Sequence, residues 1–411
     1  MTKKTKNKVP ELRFPEFHGD WETDRVDHFL VRYVNPVKVE PEIIYKEIGI
    51  RSHGKGIFHK DPVTSEALGN KRVFWVHPEA FTVNIVFAWE QAVALTSSHE
   101  QGYIASHRFL MFRPRDNRAD LKFVLLFFLR KRGKHLLELA SPGGAGRNKT
   151  LGQESFAELE ITLPKKEEQE KIASFLGAVD TRLNQLRRKR ELLQTYKRGV
   201  IQKLFTHKIG LRKKKKTPEV RFPEFSGNWE PRKFSEFILK KDVTASDDIP
   251  LFSLTIENGI TEKTERYERS FLVKDVEEAY KLVESNDFVY NPMNLRFGAL
   301  ARHGRNYSVK VSKYYDIFSL DKTINLLFIE FFLKSHNSIK YYNQMAEGSL
   351  LEKKRLHFSK FLEFIFLLPS LKEQEKIANF LTAIDHKIET LTRQIEQTEK
   401  FKKGLLQKMF V

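Results

Sequence analysis

Between Pro164 and Phe205 the apolar side chains fall at Ile172, Leu176, Val179, Leu183, Leu186, Leu193, Val200 and Leu204, in steps of three, four and seven. That spacing predicts one long helix whose seam packs on another helix. A second stretch repeats the seam through Ile377, Leu381, Ile384, Ile388, Leu391, Ile395, Leu405 and Met409. Arg190 and Lys197 interrupt the first seam, and Lys402 interrupts the second, 402 − 197 = 205 residues after Lys197. A polar residue on a seam sets register or orientation at some cost in stability. The shared break predicts that both helices meet the same kind of partner, most simply each other, packed antiparallel. About 34 helical residues at 1.5 Å each span roughly 50 Å, the length of some 15 base pairs of duplex.

Residues 23–160 and 231–365 read differently. Short β-rich runs such as Phe81 to Phe87 and Asp287 to Tyr290 are broken by Gly and Asn turns, which predicts mixed α/β domains. Phe123 to Leu129 and Leu326 to Leu333 are too apolar and too short for surface helices and are expected to pack under a sheet.

These segments sit inside a repeat. Pro10-Glu11-Leu12-Arg13-Phe14-Pro15-Glu16-Phe17, with Gly19, Trp21 and Glu22, recurs as Pro218-Glu219-Val220-Arg221-Phe222-Pro223-Glu224-Phe225, with Gly227, Trp229 and Glu230, an offset of 218 − 10 = 208. Glu168-Gln169-Glu170-Lys171-Ile172-Ala173 returns as Glu373-Gln374-Glu375-Lys376-Ile377-Ala378, an offset of 373 − 168 = 205. In sequence the framing is duplicated and the filling is not. Between the halves, Lys213 to Lys216 after Arg212, closed by Pro218, reads as a solvated linker, either a hinge or a phosphate contact.

Composition narrows the function. The chain has 411 residues, enough for two or three domains with cores of their own. It has no cysteine, which excludes disulfides, thiolate zinc sites and cysteine nucleophiles, and the cytoplasm is the expected compartment. Its 72 Lys+Arg against 53 Asp+Glu leave +19, the sign a phosphate backbone attracts. No run approaches the ~18 apolar residues of a membrane span, and the lysine-rich start has no apolar region behind it, so no membrane partner is expected.

Candidate contacts follow from that charge. In Gly49 to Phe58, glycines allow close backbone approach while Arg51, Ser52, His53 and Lys55 offer donors to phosphate or guanine; a basic hairpin exposed to water fits the same residues. Ser97 to Arg108 crowds His99, Gln101, Tyr103 and Arg108 into one loop-like stretch. In the second half, Arg296, Arg302 and Arg305 could take guanine or phosphate, Asn294 an adenine edge, and Tyr307 a sugar. No catalytic centre is visible. Asn291-Pro292-Met293-Asn294 lacks the second proline and the aromatic of an adenine methylase loop, and Gly143 to Thr150 has Asn148 where a P-loop needs glycine. No His/Asp/Glu cluster has metal-ligand spacing.

The Arg13-Phe14-Pro15-Glu16-Phe17 block with Trp21, its copy at Arg221 to Phe225 with Trp229, and the twin Glu-Gln-x-Lys-Ile-Ala-x-Phe-Leu helices resemble the specificity subunits of bacterial type I restriction-modification systems, over essentially the whole chain. The resemblance implies a mixed α/β (α+β) chain with an internal pseudo-two-fold repeat: two target-recognition domains separated by two long antiparallel coiled-coil helices acting as a ruler. The expected boundaries are 1–162 for the first recognition domain, 163–209 for the central helix, 210–217 for the linker, 218–366 for the second recognition domain and 367–411 for the C-terminal helix. It implies a non-catalytic subunit that reads a split target in double-stranded DNA and docks two methyltransferase subunits, joined by restriction subunits. S-adenosylmethionine, ATP and magnesium are then expected on those partners and no cofactor on this chain. Ile172, Leu176, Val179, Leu183, Leu186 and Lys197, with Ile377, Leu381, Ile384, Ile388, Leu391 and Lys402, are the expected helix–helix and partner interface. The competing classes are a self-sufficient nuclease or methylase with an unrecognised site, and a coiled-coil adaptor whose charge is incidental.

Overall fold

The computed structural model describes residues 8–143, 149–205, 217–262, 280–348 and 354–411. The linker at 210–217 lies outside them except for Thr217, as do residues 1–7 and the middle of Gly143 to Thr150. The chain divides into two compact units: residues 1–186 with 394–411, and residues 187–393. The boundaries fall inside the two long helices, so each helix gives one end to each unit.

In unit 1 the strands are β1 (Glu22–Arg25), β2 (Leu30–Tyr33), β3 (Ile44–Ile50), β4 (Ile57–His59), β5 (Val63–Thr64), β6 (Val73–Trp75), β7 (Phe81–Asn84), β8 (Val93–Leu95), β9 (Tyr103–Ser106), β10 (Phe109–Pro114) and β11 (Glu160–Leu163). The helices used below are α1 (Leu121–Phe128), α2 (Lys131–Leu139) and α3 (Lys166–Leu204). A four-stranded sheet runs β2-β10-β7-β8, a second runs β4-β3-β9-β6 with β5 also on β3, and β1 pairs antiparallel with β11. The predicted strand from Phe81 ends at Asn84, because the Asn84 side chain accepts a hydrogen bond from Val86 N at 3.1 Å and turns the chain. The apolar run near Phe123 is α1, which buries Phe123, Val124, Phe127 and Phe128 in the same core as the first sheet.

In unit 2, β12 (Glu230–Lys233) pairs with β21 (Ile365–Leu368), and a four-stranded sheet runs β13 (Ile238–Lys241), β20 (Asp316–Leu320), β17 (Phe288–Tyr290), β18 (Leu300–Arg302). A second layer completes it, β14 (Phe252–Thr255) with β15 (Gly259–Glu262) and β16 (Tyr280–Val283) with β19 (Val309–Ser312), the two pairs joined by a parallel bridge between Leu251 and Lys310. Helix α4 (Leu326–Leu333) takes the place that α1 has in unit 1, followed by α5 (His336–Met345) and α6 (Leu371–Lys408). Its Phe328, Ile329, Phe332 and Leu333 are buried.

The duplication runs deeper in the fold than in the sequence. The first strands of the four-stranded sheets start 238 − 30 = 208 residues apart, β7 and β17 288 − 81 = 207 apart, and α1 and α4 326 − 121 = 205 apart. One domain plan is therefore used twice, and the intervening segments differ by only three residues in net length.

Each long helix is pinned at its start. In unit 1 the Arg13 guanidinium grips Glu168 through two bonds of 2.8 and 2.7 Å, and Trp21 Nε1 donates to the same carboxylate at 3.2 Å. The hydrogen bond to Glu168 raises the Arg13 pKa above its ordinary value. In unit 2 Arg221 holds Glu373 at 2.7 Å twice and Trp229 Nε1 donates at 3.3 Å. Gln169 Oε1 accepts from Asp120 N at the cap of α1, and Gln374 Oε1 accepts from Asn325 N at the cap of α4, both at 2.9 Å. A carboxylate buried this deeply needs such a bidentate partner.

Candidate nucleic-acid interface

Gly49 to Phe58 is a hairpin: β3 and β4 pair through Ile50 and Ile57, and Arg51 N donates to Gly56 O at 3.0 Å. The tip is fixed from behind. His53 N and Gly54 N donate to the carbonyls of Glu90 and Gln91, and Ser52 Oγ donates to Glu90 at 2.9 Å. Gly54 has φ +64 and lies so close to Leu129 that a Cβ would meet its side chain, so only glycine fits. Arg51, His53 and Lys55 face solvent, and the Arg51 guanidinium lies 4.8 Å over the Phe58 ring. Ser52 is thus a structural hydroxyl, while its neighbours form a rigid exposed basic tip.

The residues of the second candidate stretch do not act together. His59 Nε2 meets Glu100 at 2.9 Å and its ring packs 4.6 Å from Tyr103. Burial pushes the Glu100 carboxyl up, but hydrogen bonds from Ser97 and His59 hold it below its ordinary value. His99 and Gln101 are exposed in the turn beside this cluster. Arg108 is exposed beyond the other end of β9, past Ser106. Successive residues of a strand face opposite sides, so Glu47, Gly49 and Arg51 share one face of the sheet with Phe58 and Lys60, whereas Lys46, His59 and Tyr103 share the other.

In unit 2, Arg302 is committed to the fold: Nε donates to Glu330 at 2.9 Å and a terminal nitrogen to Asn286 at 2.7 Å. Arg305 donates to Ile260 O at 3.0 Å and lies 4.8 Å over Phe252. Arg296 stacks 4.3 Å from Phe297. Asn294 is exposed, and Tyr307 is exposed with its carbonyl held by buried His303 at 2.6 Å. Asn291 to Asn294 is a turn in which Asn291 Oδ1 accepts from Met293 N.

The helix seam comes together in both units. Ile172, Leu176 and Val179 share a core with Leu405 and Met409 in unit 1, where Leu183 and Leu186 are also buried. Ile377, Leu381, Ile384 and Ile388 share one with Leu193 and Val200 in unit 2, where Leu391 is buried too. Lys197 donates to Asp385 at 2.5 and 2.6 Å, and Lys402 donates to Asp180 at 2.5 Å. The two aspartates are 385 − 180 = 205 residues apart, the same interval as the two lysines. From Asp180 to Lys197 the numbers rise on one helix while their partners fall from Lys402 to Asp385 on the other, which makes the packing antiparallel.

Among the described residues no group of three or more His, Cys, Asp or Glu could hold a metal ion. No helix among them is long and apolar enough to cross a membrane.

Comparison with known proteins agrees with this architecture. Residues 77–194 match the family model described as type I restriction modification DNA specificity domain. The MjaVIII specificity subunit of a type I restriction enzyme of Methanocaldococcus jannaschii is 23% identical over 424 aligned positions, covering 96% of this chain and 94% of its own. Residues 77–194 thus carry a type I specificity domain, and the chain is similar to a type I specificity subunit over nearly its whole length. The S subunit structure from M. genitalium superposes with a TM-score of 0.55 at 14% identity, covering 98% of this chain and 99% of its own. The HsdS subunit from Thermoanaerobacter tengcongensis gives 0.51 at 15% identity, covering 95% and 96%. Specificity subunits are the non-catalytic members of these systems.

Proposed function

We propose that this chain reads a bipartite sequence in double-stranded DNA for a type I restriction-modification complex, one half-site per unit, and that it catalyses nothing itself. The observation that carries the reading is a single domain plan used twice with different side chains on its second layer, because one chain can then present two unlike reading surfaces on one repeated frame. The +19 charge supplies the sequence-independent attraction to phosphate.

In this reading two methyltransferase subunits dock on the helices, restriction subunits join that core in the cytoplasm, and the complex methylates adenine and cleaves DNA. S-adenosylmethionine, ATP and magnesium belong to those partners. A duplicated surface supports a partner present in two copies. In unit 1, Leu12, Phe401 and Gly404 line one groove, with Leu12 and Phe401 exposed; in unit 2, Val220 and Tyr196 are exposed and, with Gly199, occupy the repeat-equivalent positions. A Cβ on either glycine would meet nothing within 4 Å, so neither is needed for packing inside its unit. A glycine inside a helix costs about 1 kcal/mol relative to alanine. Its recurrence beside an exposed aromatic is explained by a partner side chain that closes on the backbone there. Flanking Lys403 and Arg198, also repeat-equivalent, favour an acidic partner surface.

Methylome sequencing of cells with and without the chain tests the proposal. A methylated split motif that disappears with the chain is expected; an unchanged methylome in cells that retain active methyltransferase subunits refutes it.

A further inference from the structure

The chain-wide charge does not say where duplex DNA would sit on unit 1. One groove does. It is lined by Glu47 of β3, Lys60 after β4, Lys71 before β6, Asn84 at the end of β7, and Ser106 and Arg108 around the turn between β9 and β10. Its walls are fixed by backbone bonds: His107 N donates to Arg72 O at 3.0 Å and Ile85 N to Arg108 O at 2.9 Å. Asn84, almost fully buried, forms part of its lining.

The charges in and beside this groove are unbalanced. Lys60 is paired with Glu47 at 2.8 Å, but Lys71 and Arg108 are exposed and make no ion pair among the described residues. Along the same face of the sheet, Phe58 stands between Lys60 and Arg51 and carries the Arg51 guanidinium on its ring. Within the groove Lys60, Lys71 and Arg108 meet a single carboxylate, Glu47, and the Arg51–Phe58 stack lies further along β3 and β4. Like charges crowded without counter-ions repel, and a polyanion relieves that repulsion. The opposite face of the same sheet is closed by the His59–Glu100–Tyr103 cluster.

We infer that this groove is the seat of the first half-site: Lys71, Arg108 and Arg51 take backbone phosphates, and the Glu47–Lys60 pair meets base edges. The inference rests on the reading of the chain as a DNA-recognition subunit and gives that reading a location. A carboxylate accepts from the cytosine amino group and a lysine donates to guanine, so this pair can discriminate bases. The surface joins two sequence-level candidates, Arg51 and Arg108, to residues that no motif singled out.

The test uses the full chain and a duplex carrying its target. Lys71→Glu with Arg108→Glu reverses two exposed side chains, and an unchanged thermal melt shows that the fold is kept. Binding should weaken by on the order of tenfold or more, and the slope of log affinity against log salt should fall by about 2, roughly 0.9 for each lost phosphate contact. Glu47→Gln should alter base preference at one half-site and leave the other as it was. Lys46→Glu, on the opposite face of β3, should leave the slope unchanged. Wild-type binding and slope in the double variant overturn the groove, as does an equal loss from Lys46→Glu, which would mean diffuse charge. Competition by millimolar inorganic phosphate as effective as by duplex would also overturn it, in favour of a small-anion site. Failure of the parent reading looks different: the wild-type chain itself then shows no salt-sensitive, sequence-selective binding.

Discussion

The four-stranded sheets of the two units share a strand order, β2-β10-β7-β8 in one and β13-β20-β17-β18 in the other, and their second layers share a plan while differing in side chains. In unit 1 the second layer is a continuous sheet built on β3, with a parallel pairing to β9. In unit 2 the corresponding pairs, β14-β15 and β16-β19, are likewise joined by a parallel bridge between Leu251 and Lys310, so the layer is repeated with other side chains on it. The shared sheet is the one that packs with the apolar helix and the pinned start of a long helix, so its side chains answer to a core that must be rebuilt twice. The second layer has a small core of its own in each unit, and the side chains on its surface are free to change. Repetition thus marks what a common partner and a common frame require, and divergence marks where two readers differ.

The sharpest way to break that comparison is to cut the same clamp in each unit. Glu168 and Glu373 are only 3% and 1% exposed, and each is held by one arginine and one tryptophan. Removing the arginine strands a buried carboxylate, which costs about 3–5 kcal/mol. Arg13→Ala should therefore destabilise unit 1 and Arg221→Ala unit 2 by similar amounts, read by urea unfolding with hydrogen exchange assigning the loss to one unit. A cost under about 1 kcal/mol in either would show that the two starts are not equivalent clamps.

Much of the frame was legible in the sequence because it is periodic. The seam, the break at Lys197 and Lys402 and the apolar runs at Phe123 and Leu326 obey rules that depend only on spacing. Glu168 and Glu373 also lay in plain view inside the repeated block, but nothing in spacing says that a particular glutamate is buried under an arginine 155 residues away. Asp180 and Asp385 carried a usable signal, since they recur at the interval of the lysines they meet. The duplicated sheet was hidden because strand order needs only alternation and a turn of suitable length, which many sequences satisfy. The surface residues were hardest. Arg302 stood out by type, yet it is consumed by Glu330, whereas Lys60 and Lys71 belong to no motif and meet only when the sheet forms.

A smaller effect should come from the duplicated exposed surface. An aromatic anchor at an interface is commonly worth about 2 kcal/mol or more. Phe401→Ser and Tyr196→Ser should each remove one copy of the methyltransferase subunit from the co-purified complex, and the double variant both, as native mass spectrometry would count. Because both side chains are more than half exposed, the chain alone should melt as wild type. Loss of both copies from either single variant would mean that the surfaces do not serve two independent partners.

The smallest effect belongs to the Lys–Asp pairs, and it tests orientation more than stability. Lys197 is 20% exposed and Asp385 44%, so solvent screens their attraction and the pair contributes about 1 kcal/mol at most. Lys197→Asp sets two carboxylates against each other on a seam that otherwise packs apolar side chains, and it should cost about that much. Adding Asp385→Lys should restore most of the loss, since the reversed pair has the same distance to span. A double-mutant cycle in urea measures the coupling. Because Lys402 and Asp180 repeat the arrangement, the same cycle there should give the same sign and a similar size. A coupling near zero at one pair and not at the other would mean that the repeat preserves the residues but not their work. The antiparallel direction would then rest on the apolar seam alone.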